Sequence, residues 1–129
     1  AFMDADYGKN LNADGGFFDD FEHSLFVWVT VMSAPTEDRA LVDAGLKALA
    51  MDSGPPVVAG MPEIEFGRAS DEHGILDISK TNHPVRLGDK LKLIPGHCDP
   101  TVNMYDWYVG YRGDRVEALW PIVARGMLR

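Results

Sequence analysis

Three side chains that commonly bind metal ions stand in consecutive positions near residue 98. The segment Pro95-Gly96-His97-Cys98-Asp99-Pro100-Thr101 carries an imidazole, a thiol and a carboxylate between turn-forming residues. If this segment is extended, its side chains alternate in direction, so His97 and Asp99 point to one side and Cys98 to the other. The spacing, at the end of a predicted strand, therefore predicts a two-ligand metal site formed by His97 and Asp99; the alternative is a solvated hydrogen-bonding pair.

The second ligand decides which ion such a site prefers. A histidine with a thiolate, here Cys98, selects zinc, whereas a histidine with a carboxylate also suits harder ions such as Mn²⁺ or Mg²⁺. Two protein ligands leave several coordination positions open, and open positions are typical of catalytic metals. The alternative is that the missing ligands come from a part of the protein outside this chain.

One further histidine stands in a cluster of titratable residues. In Ser70-Asp71-Glu72-His73-Gly74 a histidine follows two acids at the start of a predicted strand. Here Glu72 could fix the tautomer of His73, which is then a candidate catalytic residue facing substrate or supporting a metal ligand. The alternative is a solvated cluster. His23 and His83 are predicted to be structural, since one precedes a core strand and the other stands in a turn.

The secondary-structure elements predicted around these residues are mainly β-strands. The apolar run Leu25–Met32 predicts a core strand covered on both faces. A helix is predicted over 36–50, because Pro35 precedes it, acids fall in its first turn and apolar residues recur at helical spacing. A hairpin tip is predicted at 112–115. Further short strands are predicted near 57–59, 63–67, 73–79, 90–95, 105–111 and 115–120. One helix against several strands predicts a mainly β fold, an antiparallel β-barrel or sandwich.

The composition argues against several classes of function. With 129 residues, 46% of them hydrophobic, the chain fits one domain spanning residues 1–129. Its net charge of -8 disfavours nucleic acids and anionic membranes, and no apolar run approaches the roughly 20 residues of a membrane span. A single cysteine excludes an internal disulfide framework and favours a cytoplasmic location. Residues 1–7 read as the end of a strand entering a loop, which predicts the C-terminal part of a larger protein.

Several segments, in the same order along the chain, resemble the C-terminal domain of the D-threonine aldolase and D-serine dehydratase family. They are Phe2-Met3-Asp4-Ala5-Asp6-Tyr7, Asp43-Ala44-Gly45-Leu46-Lys47-Ala48, Asp71-Glu72-His73-Gly74, the run from Pro95 to Asn103, Gly110-Tyr111-Arg112 and the run from Val116 to Gly126. The resemblance implies a fold-type III pyridoxal-phosphate enzyme of the alanine-racemase type. Its N-terminal (β/α)8 barrel, which carries the cofactor, would lie outside this chain, and its C-terminal β-domain would bear a divalent metal. A homodimer is also expected.

The resemblance further implies a lyase. In that family a histidine and the residue two positions later hold the metal, and the second residue is cysteine in the dehydratases and aspartate in the aldolases. His97 and Asp99 match the aldolase pattern, with Cys98 as the alternative ligand. The implied reaction cleaves D-threonine-like D-β-hydroxy-α-amino acids to glycine and an aldehyde, with Mn²⁺, Mg²⁺ or Zn²⁺ at the substrate β-oxygen. The alternatives are a D-serine or D-threo-3-hydroxyaspartate dehydratase, or a non-catalytic β-domain for dimerisation or metal binding.

Overall fold

The fold is known from a computed structural model that describes residues 2–18 and 20–127. Short strands dominate this part of the chain, and the helical segments are brief. The elements are a 3-10 turn Tyr7–Lys9, β1 Val27–Thr36, β2 Arg39–Val42, β3 Val57–Val58, β4 Glu65–Ala69, β5 Gly74–Asp77, β6 Lys90–Ile94, α1 Cys98–Val102, β7 Trp107–Arg112 and β8 Arg115–Pro121.

Six of the strands form one antiparallel sheet in the order β3-β6-β1-β2-β5-β4. The two edge strands, β3 and β4, also contact each other, so the sheet curls into a nearly closed barrel. Its interior is filled by apolar side chains, among them Val29, Val31, Val42, Leu76 and Leu93. The predicted antiparallel β-barrel is confirmed.

The strand β1 is long because it serves two partners. Its first residues pair with β6, with Val27 opposite Leu93, and its later residues pair with β2, with Val31 opposite Val42. Val29 and Val31 are buried, whereas Trp28 and Met32 are about half exposed. The prediction that this strand is covered on both faces is therefore wrong within the described chain, although its position is confirmed.

The predicted helix over 36–50 is wrong. Thr36 still belongs to β1, a turn follows, and β2 then pairs with both β1 and β5. Ala40 and Val42 are buried and their neighbours are more exposed, which is the two-residue period of a strand. Beyond β2, Gly45 packs so closely on the backbone of residues 70–73 that a side chain there would clash. Tertiary pairing thus overrides the helical spacing of the apolar residues.

The strands predicted from residue 57 onward are confirmed with shifts of a few residues at their ends. The predicted hairpin tip is also confirmed, since Arg112 pairs with Arg115 and Gly113 has a left-handed φ of 61°. The expected strand end before Tyr7 is not found in residues 2–4, and Ala1 lies outside the described residues. No helix among the described residues is long and apolar enough to cross a membrane.

Candidate metal site

The segment that carries the candidate ligands leaves the end of β6 and is tied to the first residues of the chain. Ala5 N–H donates to Pro95 O at 2.9 Å, and Asp6 N–H donates to Gly96 O at 3.2 Å. The two acceptor residues directly follow Ile94, the last residue of β6. The matched segments at residues 2–7 and 95–103, distant in sequence, therefore form one structural unit.

The predicted extended conformation of the ligand segment is wrong beyond His97. His97 itself is extended, with φ -141° and ψ 122°, but Cys98–Val102 forms the short helix α1. Proline is tolerated in the first turn of a helix because its missing N–H would have no helical partner there, so Pro100 does not prevent this helix. Strand alternation therefore does not separate the side chains of Cys98 and Asp99.

Burial separates the two candidate second ligands instead. Cys98 is only 3% exposed, whereas Asp99 is exposed and lies in the first turn of α1. Burial, followed by the nearby carboxylates of Asp4 and Asp99, raises the pKa of the Cys98 thiol to about 12. Metals bind the thiolate, so a metal at Cys98 would have to overcome both the burial of the sulfur and this raised pKa. The environment of Cys98 therefore disfavours it as a ligand.

His97 makes a short hydrogen bond to a carboxylate that the sequence alone did not single out. Its Nδ1 lies 2.7 Å from Asp52 Oδ2. This hydrogen bond is the main cause of a raised pKa for His97 and a lowered pKa for Asp52. An ionised carboxylate can only accept hydrogen bonds, so Nδ1 must be the donor. In neutral His97 the lone pair is then on Nε2, the atom that a metal would use.

The carboxylate of Asp4 anchors the start of α1. Asp4 is 1% exposed; its Oδ2 accepts the N–H of Cys98 and its Oδ1 accepts the N–H of Tyr7, both at 2.9 Å. His97 makes no side-chain cap at α1, so Asp4 supplies from a distant part of the chain the acceptor that the first helical N–H needs. The only sequence signal for this role was the match over residues 2–7.

A buried threonine fixes the other end of the same turn. Thr101 Oγ1 donates to His97 O at 2.7 Å and accepts the N–H of Ala50 at 3.1 Å. The side chain of Thr101 thereby joins α1 to the segment that contains Asp52. Buried polar groups are normally paired in this way, and this pairing fixes His97 relative to the loop after β2.

Gly96 permits close packing beside His97, and its substitution is predicted to disturb the site. A Cβ at Gly96 would collide with the carbonyl oxygen of Gly54, whereas a Cβ at Gly67 would lie 3.6 Å from Ile75 O. We expect Gly96→Ala to lower the free energy of unfolding by about 1–3 kcal/mol and to weaken metal binding. Urea denaturation of the full-length protein measures the first effect. Gly67→Ala is the matched control, and equal effects of the two variants would contradict this account.

In the part of the chain that it describes, the structure does not add a third metal ligand to His97 and Asp99, and it does not show the predicted pair of Glu72 and His73. Among the described residues no group of three or more His, Cys, Asp or Glu side chains could hold a metal ion. The Glu72 carboxylate is bonded to Lys47 Nζ, not to the imidazole of His73, so the predicted Glu72–His73 pair is not found. This ion pair is the first cause of a lowered pKa for Glu72.

The remaining histidines are held by backbone contacts. His23 Nδ1 lies 3.1 Å from Met3 O, and His83 N–H donates to Thr81 Oγ1 at 3.1 Å. Both contacts agree with structural roles.

A cavity among the described residues lies beside the candidate site and not in it. It has a volume of about 990 Å³ and is bounded by the first residues of β1, the end of α1 and the β7–β8 hairpin. Its lining is mainly apolar and aromatic, and His97, Asp99 and Asp52 are not part of it. The cavity therefore does not contain the candidate metal site.

Comparison with known proteins places the chain in a family. Residues 24–111, well over half of the chain, match the family described as "Putative serine dehydratase domain". The chain belongs to this serine dehydratase domain family. It is 48% identical over 128 residues to a 3-hydroxy-D-aspartate aldolase from Paracoccus denitrificans, covering 98% of this chain and 33% of that protein.

Two solved structures agree with this assignment. The D-threonine aldolase from Filomicrobium marinum superposes with a TM-score of 0.87 and 42% identity, covering 99% of this chain and 35% of that one. The D-threo-3-hydroxyaspartate dehydratase from Delftia sp. HT23 gives a TM-score of 0.65 and 26% identity, covering 77% of this chain and 32% of that one. The chain thus spans about a third of the length of its relatives, which include both aldolases and a dehydratase.

Proposed function

We propose that this chain is the metal-bearing domain of an aldolase that cleaves D-β-hydroxy-α-amino acids to glycine and an aldehyde. The observation that carries the proposal is the His97–Asp52 hydrogen bond, which leaves Nε2 of the neutral imidazole available to a metal. The exposed carboxylate of Asp99 follows His97 by two residues. Support comes from the relatives that are named as aldolases. The substrate class is a D-amino acid with a β-hydroxyl group.

In this proposal His97 and Asp99 hold a divalent ion. The donor set of one imidazole and one carboxylate fits Mn²⁺, Mg²⁺ or Zn²⁺ and leaves positions for substrate oxygens. When bound, the metal supplies Lewis-acid chemistry that makes a substrate hydroxyl more acidic. The protein's own contribution is to hold the imidazole through Asp52 and the α1 backbone through Asp4. His73 stays a candidate catalytic residue, directly before the start of β5.

The rest of the active site is proposed to lie in an N-terminal barrel domain. The relatives are about three times as long as this chain, which supports a further domain in the complete protein. That domain would bind pyridoxal phosphate, which supplies an electron sink for the cleavage of the Cα–Cβ bond. No residue of this chain is assigned to the cofactor, and the fragment alone is expected to be inactive.

Product analysis of the full-length protein tests the proposed reaction. Cleavage of D-threonine yields glycine and acetaldehyde, and cleavage of 3-hydroxy-D-aspartate yields glycine and glyoxylate. Glycine with the matching aldehyde from either substrate supports the aldolase. A dehydratase, which the structural match to the Delftia enzyme favours as second candidate, would instead release ammonia with 2-oxobutanoate or oxaloacetate. Ammonia without glycine would overturn the aldolase proposal.

The role of Cys98 gives a separate prediction. We expect Cys98→Ser in the full-length protein to leave metal affinity unchanged, because the thiol is buried and its pKa is high. Stability should fall by about 1–3 kcal/mol, because a hydroxyl replaces a thiol in a buried position. Isothermal titration with Mn²⁺ and with Zn²⁺ measures the affinity. Loss of Zn²⁺ binding would restore Cys98 as the ligand and favour the dehydratase.

The domain is also proposed to work within a homodimer in the cytoplasm. The β7–β8 hairpin forms a separate two-stranded sheet, and Trp107, Val109, Leu119 and Trp120 are more than half exposed on it. Two-stranded sheets are marginal alone, and exposed apolar patches commonly mark interfaces. These residues support contact with a further domain or subunit. They equally fit the alternative of a non-catalytic dimerisation domain, which unchanged activity of a His97→Ala variant would favour.

A further inference from the structure

The segment around Asp52 is fixed to the ligand loop at two points. On one side of Asp52, the N–H of Ala50 donates to Thr101 Oγ1 at 3.1 Å. On the other side, Gly54 packs against Gly96 so closely that no side chain would fit between their backbones. Asp52 lies between these two anchors, and its contact with His97 is therefore set by the packing of both segments.

The pair of side chains itself has little structural importance. The side chain of Asp52 is 56% exposed and that of His97 is 32% exposed. Exposed pairs of this kind add little to stability, because water competes for both groups. A 2.7 Å hydrogen bond in this position is more useful for fixing the orientation and tautomer of the ring than for holding the fold together.

We propose that Asp52 is a positioning residue that holds His97 in the Nδ1–H tautomer and so presents Nε2 to the metal ion. This inference rests on the proposed function, because it requires His97 to be a ligand. The carboxylate accepts the Nδ1 proton, so the ring cannot adopt the tautomer in which Nε2 is protonated without losing the bond. Metal-bound histidines usually donate their second ring N–H to such a partner, and loss of the partner lowers metal affinity about 10- to 100-fold.

Three variants of the full-length protein separate this role from others. Asp52→Ala removes the acceptor, Asp52→Asn keeps an amide oxygen that can still accept, and Asp38→Ala changes an exposed aspartate in the β1–β2 turn at the opposite end of β1. Two measurements are made. Histidine ¹⁵N chemical shifts in metal-free protein give the tautomer of neutral His97, and titration with Mn²⁺ and Zn²⁺ gives the affinity.

The expected results differ between the variants. Wild-type His97 is in the Nδ1–H form, and Asp52→Ala shifts it toward the Nε2–H form and weakens metal binding about 10- to 100-fold. Compared with Asp52→Ala, Asp52→Asn keeps more of the Nδ1–H form and loses less metal affinity. Asp38→Ala behaves as the wild type. The melting temperatures of all variants stay close to that of the wild type.

Three results would overturn the inference. They are a wild-type ring in the Nε2–H form, unchanged metal affinity in Asp52→Ala, or complete loss of binding in Asp52→Ala, which would make Asp52 a ligand. If the wild-type protein binds neither ion, the proposed metal site fails. The tautomer comparison in metal-free protein still decides whether Asp52 controls the ring.

Discussion

His97→Ala in the full-length protein is expected to lower the rate of D-threonine cleavage by about a thousandfold. His97 is the candidate ligand whose geometry is best defined, because Asp52 holds Nδ1 and Thr101 bonds to its carbonyl oxygen. Lewis-acid stabilisation contributes several kcal/mol, and each 1.4 kcal/mol corresponds to a factor of ten in rate. Steady-state assays of aldehyde release measure the loss.

The control for this prediction is His83→Ala. His83 is exposed in the turn after β5 and contacts Thr81 only through its backbone N–H. The control should retain wild-type activity. If His97→Ala also retained metal-dependent activity, His97 would not be a ligand and the proposed site would be wrong.

Asp99→Ala is expected to lower metal affinity and activity together, with the fold intact. The carboxylate is exposed, and no hydrogen bond to it is found within residues 2–18 and 20–127, so its removal leaves no buried group unpaired. We expect the affinity to fall by at least about 100-fold, because losing a ligand costs no less than losing a residue that only supports a ligand. Because His97 remains, excess metal should restore part of the activity.

Activity measured across a range of Mn²⁺ concentrations tests this prediction, with Asp38→Ala as the matched control. The expected curve for Asp99→Ala is shifted to higher metal concentration, while that of the control overlies the wild type. An unshifted curve for Asp99→Ala would remove Asp99 from the site.

The strands were predictable from sequence because their signal is local. Val27 to Val31 combine β-branched and aromatic residues, and Gly113 marks a tight turn, so both features could be read without tertiary information. The helix predicted over 36–50 failed because Ala40 and Val42 pair with neighbouring strands, which no local pattern reveals. The helical spacing of the apolar residues alone could not distinguish a helix over 36–50 from the strand β2.

The candidate site was predictable only in part. The residue types at His97 and Asp99 pointed to a metal, but the alternation argument assumed an extended segment where α1 begins. Asp4 bonds to Cys98, which is 94 positions away in the chain, and Asp52 bonds to His97, which is 45 positions away. Such long-range hydrogen bonds depend on the folded barrel, and the short segments around both aspartates gave no independent sign of them.

The central claim is that His97 and Asp99 together hold a divalent metal ion. An anomalous difference map from crystals of the full-length protein grown with Mn²⁺ tests it most directly. The account predicts a peak at about 2.0–2.3 Å from His97 Nε2 and from a carboxylate oxygen of Asp99, as ligand bonds require. A peak bonded to Cys98 Sγ, or one that contacts neither His97 nor Asp99, would contradict it.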